Sequence, residues 1–524
     1  MGTSGKLRRM YFPHRYHPTT GYALHILVSL GILLILAACS PSQAQTLSPT
    51  AAFDTAAPPT STVVPPSATI TPQLAFTASP EPILPTATPV PEPERAQYLL
   101  NATLDYNRHY LSVQETIDYP NLTGQVLNEL VMAVEPNRYP GGFRLNSIEV
   151  GGTAIDSFTL ASNKLNFTLP APLEKNQSLH LTISYDLSLP FLPRPTGSIN
   201  AGIYGYSARQ MNLVDWYPYI PAYIDGYGWA MHNPWYYGEH QVYAMADFTV
   251  EVTLKSPPEN LTIAAASQVK MVDGKYTYTH RSARNFTFSA SDMYTVYAKM
   301  VGPVTVTSYA FPFDANAGLT ALEDAAQALE VYNEYFGDYP HDSLSVVEVD
   351  FQDGMEYDGL YFLSKGFYNT YDGTPKGYLT MIGVHETAHQ WWYARVGNDQ
   401  AFEPWLDEAM ATYSELLFYS KIYPGYEDWW WSYRVDFFNP AGWVNLHIYD
   451  YTGSYPYRDG VYLQGARFLH EVRARVGDQA FFDFLKDYAH REQNQIATSQ
   501  DFFTILKEHS TAEISDLVEK YFKP

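Results

Sequence analysis

The sequence predicts a multidomain α+β chain, with a β-rich first half and a mostly helical second half. Two patterns carry this. From Arg95 to Phe311, short runs alternate between apolar and polar residues and are separated by turn residues such as Asp273-Gly274. From Leu319 onward, apolar residues recur at helical spacing over longer segments. A third observation sets the leading 94 residues apart, because their composition matches neither half. The chain has 524 residues, enough for two or three domains, and 44 Tyr and 10 Trp supply a large core.

The boundaries follow as residues 1–39, 40–94, 95–311 and 312–524. Lys6, Arg8, Arg9 and Arg15 precede an apolar run, Tyr22 to Leu36, which ends in Leu36-Ala37-Ala38-Cys39-Ser40. A basic start, a short apolar core and small residues describe a secretory signal. The ending resembles a bacterial lipobox, which implies a lipid on Cys39 and an extracytoplasmic chain anchored to the cell envelope. Cys39 is the sole cysteine, so no intramolecular disulfide forms. The run is shorter than the roughly 20 residues of a spanning helix. Residues 41–93 are mostly Pro, Thr, Ser and Ala, with no Lys or Arg, and lack the apolar content to fold. They read as a disordered stalk. The net charge of −23 argues against nucleic acid as a partner.

In the 95–311 segment, Tyr110–Tyr119, Lys164–Leu169, Leu179–Leu187, Asp247–Leu254, Tyr276–Arg281 and Val304–Tyr309 read as strands of an antiparallel sandwich or saddle. The aromatic stretch Asn212 to Trp229 reads mainly as packing between domains. In the 312–524 segment, Leu319 to Phe336 reads as a helix ending at Gly337, and Ser343–Val349 as a strand. Phe351 to Ser364 follows, containing Gly354, Met355 and Glu356. Thr380 to Tyr393 is the next helix, then Glu408 to Tyr419. Three consecutive tryptophans, Trp429 to Trp431, cannot share one helix face, and packing against the β domain is the expectation. Ala480–Arg491, Ser499–Lys507 and Ile514–Phe522 complete the helices.

The chemistry lies in the Thr380–Tyr393 helix, which contains His385-Glu386-x-x-His389. Positions four apart share a helix face, so both imidazoles reach one metal ion, and Glu386 can act as general base. A catalytic zinc needs a third protein ligand and an open position. Glu408 follows His389 after eighteen residues, on a helix whose stripe of Trp405, Leu406, Ala409 and Tyr413 makes a carboxylate costly unless it is bound. His385, His389 and Glu408 are the predicted zinc ligands, one ion per chain. Glu415, two turns after Glu408, is a candidate carboxylate behind a ligating imidazole.

These motifs, with Glu408 inside Trp405-Leu406-Asp407-Glu408, resemble those of the gluzincin aminopeptidases, the relatives of aminopeptidase N and the leukotriene hydrolase. The resemblance runs from about Gln97 to the C-terminus. It implies a thermolysin-like catalytic domain behind the β domain, and an edge strand at Gly354, Met355 and Glu356 that binds peptide, with Glu356 facing the substrate's α-ammonium. Tyr357 stands where relatives carry Asn. It also implies that Tyr462, with Gly465 three residues on and 54 positions after Glu408, stabilises the oxyanion. Tyr457 is a weaker candidate. A second amine anchor from the β domain is a family feature; Gln210 is the conceivable match, at an unconvincing spacing. Long relatives continue into a further helical domain, so a more open cleft is expected here. The function expected is that of a zinc aminopeptidase acting on peptides. The alternatives are an endopeptidase or other hydrolase on the same site, and a surface binding protein that retains the fold. A monomer is compatible with the sequence.

Overall fold

The computed structural model describes residues 94–192, 203–351 and 353–524. The signal segment, Cys39 and the stalk lie outside them. The described residues belong to one compact unit.

Its first half is built on an eight-stranded sheet. The order is Val269–Val272, Lys275–Ala283, Ala246–Leu254, Ala96–Asp105, Tyr110–Pro120, Ser178–Ser188, Phe143–Val150 and Thr153–Ala154. All pairs are antiparallel except one: Ala96–Asp105 runs parallel to Ala246–Leu254. Alternation sets the buried face: Leu100, Ala102 and Leu104 point inward from one strand, Leu111, Val113 and Ile117 from the next. Smaller sheets of four, three and two strands complete this half. Trp216 sits fully buried there, its indole N–H donating to the Phe286 carbonyl at 3.1 Å.

The second half, where the sequence places the catalytic domain, has a five-stranded sheet ordered Thr295–Val301, Val304–Ala310, Ser343–Val349, Leu360–Ser364 and Gly354–Tyr357. This corrects the boundary at 311/312. Val304–Ala310 pairs in parallel with Ser343–Val349, so the strands from Thr295 onward belong to the catalytic half. Alternation reveals a strand but not its partner, which is why the sequence assigned Val304–Tyr309 to the β domain. All seven residues of Ser343–Val349 are buried. The strand is covered on both faces, by helices on one and by the β-domain core on the other, where Val347 and Val349 join Tyr357 and Phe362. One apolar core thus runs through the back of the catalytic sheet.

On the helical face, Ala315–Phe336 lies against Tyr378–Ala388, which packs on Trp405–Ile422. The Tyr332 hydroxyl donates to the carbonyls of Val384 and Ser414, both at 3.1 Å, and so ties the last two helices together. The tryptophan run is a second correction. Trp430 is fully buried in the catalytic core and Trp429 packs on Tyr419 of the Trp405–Ile422 helix, so the run covers that helix and not the β domain. Among the described residues, no helix is long and apolar enough to cross a membrane.

Candidate metal centre and substrate cleft

The helix Tyr378–Ala388 ends one residue before His389, which keeps a helical backbone as its C-cap. His385 and His389 therefore still share a face. Their Nε2 atoms are 3.1 Å apart, and Glu408 Oε2 lies 3.2 Å from the first and 3.5 Å from the second. Donors bound at about 2.0–2.1 Å to one tetrahedral zinc lie a little over 3 Å from each other, so the triangle fits the ion.

The other ring nitrogens fix the tautomers. His385 Nδ1 is 2.9 Å from Glu415 Oε1 and His389 Nδ1 is 2.9 Å from the Trp392 carbonyl oxygen, so both Nε2 lone pairs are free for a metal. Glu415 is itself held by the Trp430 indole N–H at 2.9 Å and by Arg434, whose Nε and second terminal nitrogen donate at 2.9–3.2 Å. Burial opposes its charge, but Arg434 and His385 outweigh that and hold the carboxyl below its ordinary range. Arg434 comes from a π-helical turn, Trp431–Val435, placed by the tryptophan run.

Glu386 is buried beside this triangle, and its Oε2 has no hydrogen-bond partner among the described residues. Burial pushes its carboxyl well above the ordinary range, in favour of a group that takes up a proton. Gly354 explains its own identity here: a Cβ at that position would lie 2.1 Å from Glu386 Oε1. Gly354–Tyr357 is the edge strand of the sheet, paired antiparallel with Leu360–Ser364 and on its other side with no strand among the described residues. Gln390, next to His389, clamps the end of this strand: its Nε2 donates to the Tyr357 carbonyl at 3.0 Å and its Oε1 accepts the Gly359 N–H at 2.9 Å.

Glu356 is buried, with oxygens within 4.8 Å of Glu386 and His389. The Gln400 amide donates to it at 3.3 Å and to Asp407 at 3.0 Å. Within the same distance of Glu356 and Glu408 stands Glu239, from the β half. Burial and the neighbouring carboxylates push both Glu239 and Glu356 upward. Glu239 is the residue that sequence reasoning missed. Gln210 is held elsewhere: it donates to Asn212 at 2.9 Å and to Tyr294 at 2.8 Å, and accepts the Asp350 N–H. The signal that could have found Glu239 is a lone carboxylate in the aromatic run Trp235 to His240.

Tyr462 lies on a second π-helical turn, Arg458–Gln464, and its hydroxyl donates to Glu408 Oε1 at 2.6 Å. Its ring stacks on His385 at 6.0 Å and 9°. Tyr457 is buried, with no partner for its hydroxyl among the described residues. Met355 lines a small cavity of about 60 Å³ with Glu239, Asp215 and Tyr357.

A His₂Glu triangle under the open edge of a mixed sheet, with a free carboxylate beside it, defines the gluzincin class of metallopeptidase folds. Residues 320–521 match the Peptidase family M1 domain. Aminopeptidase N of Lactococcus lactis subsp. lactis is 26% identical over 225 residues, 39% of this chain and 26% of that one. Mouse endoplasmic reticulum aminopeptidase 1 is 30% identical over 194 residues, 34% of this chain and 21% of that one. The matched part thus spans about a quarter of these relatives' length. Among solved structures, the M1 zinc metallopeptidase of Deinococcus radiodurans is similar with a TM-score of 0.58 at 20% identity, covering 82% of this chain and 93% of that one. A mutant two-domain M1 zinc metallopeptidase bound to L-arginine gives 0.60 at 19%, covering 82% and 94%. The fold, with its β half in front of a helical half, is that of these enzymes.

Proposed function

We propose that the protein is a zinc aminopeptidase that removes N-terminal residues from peptides. The observation that carries this is the pair Glu239 and Glu356 beside the His385–His389–Glu408 triangle. Two carboxylates from two domains close one end of the cleft, and an α-ammonium is the group that matches them. A peptide held there has only its first peptide bond over the triangle.

Zinc held by His385, His389 and Glu408 would polarise the scissile carbonyl and acidify a water. Glu386 takes the water's proton and delivers it to the leaving amine. The edge strand Gly354–Tyr357 pairs with the substrate backbone. The Tyr462 hydroxyl, held beside the metal position by Glu408, donates to the oxygen where charge develops.

The test is an assay of aminoacyl fluorophores against their N-acetylated forms, with Glu386→Gln as control. Cleavage restricted to free amines, and lost by about 10²–10⁴-fold in Glu386→Gln while zinc stays bound, supports the reading. Cleavage of blocked peptides would overturn exopeptidase action and leave the metal chemistry.

The cell surface is the proposed location, through a lipid on Cys39. The basic start, the apolar run and the Leu-Ala-Ala-Cys ending support it. Labelled fatty acid should enter the wild-type chain and not Cys39→Ala; equal labelling would rule the anchor out.

A further inference from the structure

The geometry points to a second divalent-metal site, distinct from the catalytic one, formed by His280, His341 and Asp358. The three residues come from three separate segments. His280 is on the strand Lys275–Ala283 of the β half. His341 is in the loop before Ser343–Val349. Asp358 is in the turn between the substrate strand and its neighbour. His341 Nε2 lies 2.9 Å and His280 Nε2 3.1 Å from the same oxygen, Asp358 Oδ1. The ring centroids are 4.4 Å apart, and the donor atoms lie within 4.8 Å of one another. His280 and Asp358 are buried, and the His341 side chain is 9% exposed.

Donor type, spacing and support agree on zinc as the occupant. Two imidazoles and one carboxylate repeat the donor set of the catalytic triangle, with separations in the same range. Both imidazoles converge on one carboxylate oxygen. The other oxygen, Oδ2, accepts the backbone N–H of Arg284 at 2.8 Å, as ligating carboxylates are commonly braced by a hydrogen bond. The Arg284 guanidinium is engaged with the carbonyls of Tyr243, Ala394 and Gln495. The Asp358 carbonyl, 3.2 Å from His280 Nε2, offers a fourth oxygen.

Such an ion would be structural. It would join the β half to the catalytic sheet at the turn that ends the substrate strand, two residues beyond Glu356. Gln390 holds the same turn from the catalytic side.

The experiment counts metal in the full-length protein. The chain is saturated with zinc, freed of excess by gel filtration and measured by elemental mass spectrometry. Wild type should carry two zinc ions. His385→Ala/His389→Ala should carry one, and addition of His341→Ala should leave none. Cobalt(II) should give the His385→Ala/His389→Ala variant a visible absorption band that the triple variant lacks. Two results overturn the proposal. One is a single zinc in wild type with none in His385→Ala/His389→Ala, which makes the cluster a purely hydrogen-bonded one. The other is a second zinc that survives both His341→Ala and Asp358→Asn, which assigns it to surface groups. Should His341→Ala fail to fold, Asp358→Asn or His280→Gln in the His385→Ala/His389→Ala background replaces it, and the remaining zinc should be lost there as well.

Discussion

At the scale of single residues, the site turns on how little room surrounds Glu386. A methyl group at position 354 would overlap Glu386 Oε1, and both positions sit in packed structure. Gly354→Ala should therefore displace the general base without touching a metal ligand. The expected result is a fall in kcat of up to about 10²–10⁴-fold, the usual worth of a general base, with zinc content unchanged. Loss of zinc in that variant would show that the strand supports the ligands as well. The role proposed for Glu239 is on the substrate side, as an anchor for the α-ammonium. Hydrogen bonds to charged groups are worth about 1.5–3 kcal/mol, so Glu239→Ala should raise KM for free-amine substrates by roughly 10–100-fold and leave kcat much less changed. An unchanged KM would remove Glu239 from the amine site. The two residues also differ in what the chain discloses about them. Glu386 stands in a motif whose spacing is set by one helix. Glu239 sits in an aromatic loop whose path depends on how two domains meet, and no local pattern encodes that.

At the scale of elements, two π-helical turns deliver the groups around the metal. Arg458–Gln464 carries Tyr462, and Trp431–Val435 carries Arg434. Such turns recur at functional sites because the extra residue re-aims side chains. The sequence could show Tyr462 and Gly465 as a pair, and the packing gives the reason: a Cβ at 465 would lie 2.4 Å from that of Ala409, so glycine lets this helix press against the one that bears Glu408. Helices and the central strand were readable because period and length are local properties. The sheet partner of Val304–Ala310 and the packing of the three tryptophans were not, since both are set by distant contacts. The Glu415–Arg434 pair gives a test at this scale. Glu415→Ala should weaken zinc binding by about 10–100-fold, as expected for a group orienting a ligating imidazole. It should also cost about 3–5 kcal/mol of stability, because Arg434 is left as an unpaired buried charge. Glu415→Leu/Arg434→Met should recover most of that stability in urea unfolding but not the zinc affinity. Recovery of both would reduce Glu415 to a packing role.

At the scale of the whole molecule, buried carboxyls shape the response to pH. Asp324, on the helix that covers the catalytic one, is fully buried, and burial pushes its carboxyl up to about 7. Glu348, on the central strand, is pushed up to about 8, again by burial. Both folded values exceed the unfolded ones, so the folded state holds a proton that the unfolded chain releases near pH 4. The stability this contributes is complete below about pH 4 and is lost as pH rises through about 7 for Asp324 and about 8 for Glu348. Glu135 and Asp350 act in the other direction. Burial opposes their charge, but His240 and Arg138 for the first, and Arg209 and Lys365 for the second, outweigh it and hold both at about 2. Their contribution is present above about pH 4 and is lost as pH falls through about 2. Taken by themselves, these four groups contribute most near pH 4, where both limbs are present. Asp324→Asn isolates one limb of this curve. Because the variant keeps every metal ligand, zinc contributes equally to both proteins at each pH and cancels in the comparison. Wild type should lose a few kcal/mol more than Asp324→Asn between pH 4.5 and pH 7.5, at roughly 1.4 kcal/mol for each pH unit in which only the folded state holds the proton. Urea midpoints of the two proteins measured across that interval should converge as pH rises. Parallel curves would mean that Asp324 is already ionised in the folded protein, held by a partner that burial alone does not supply.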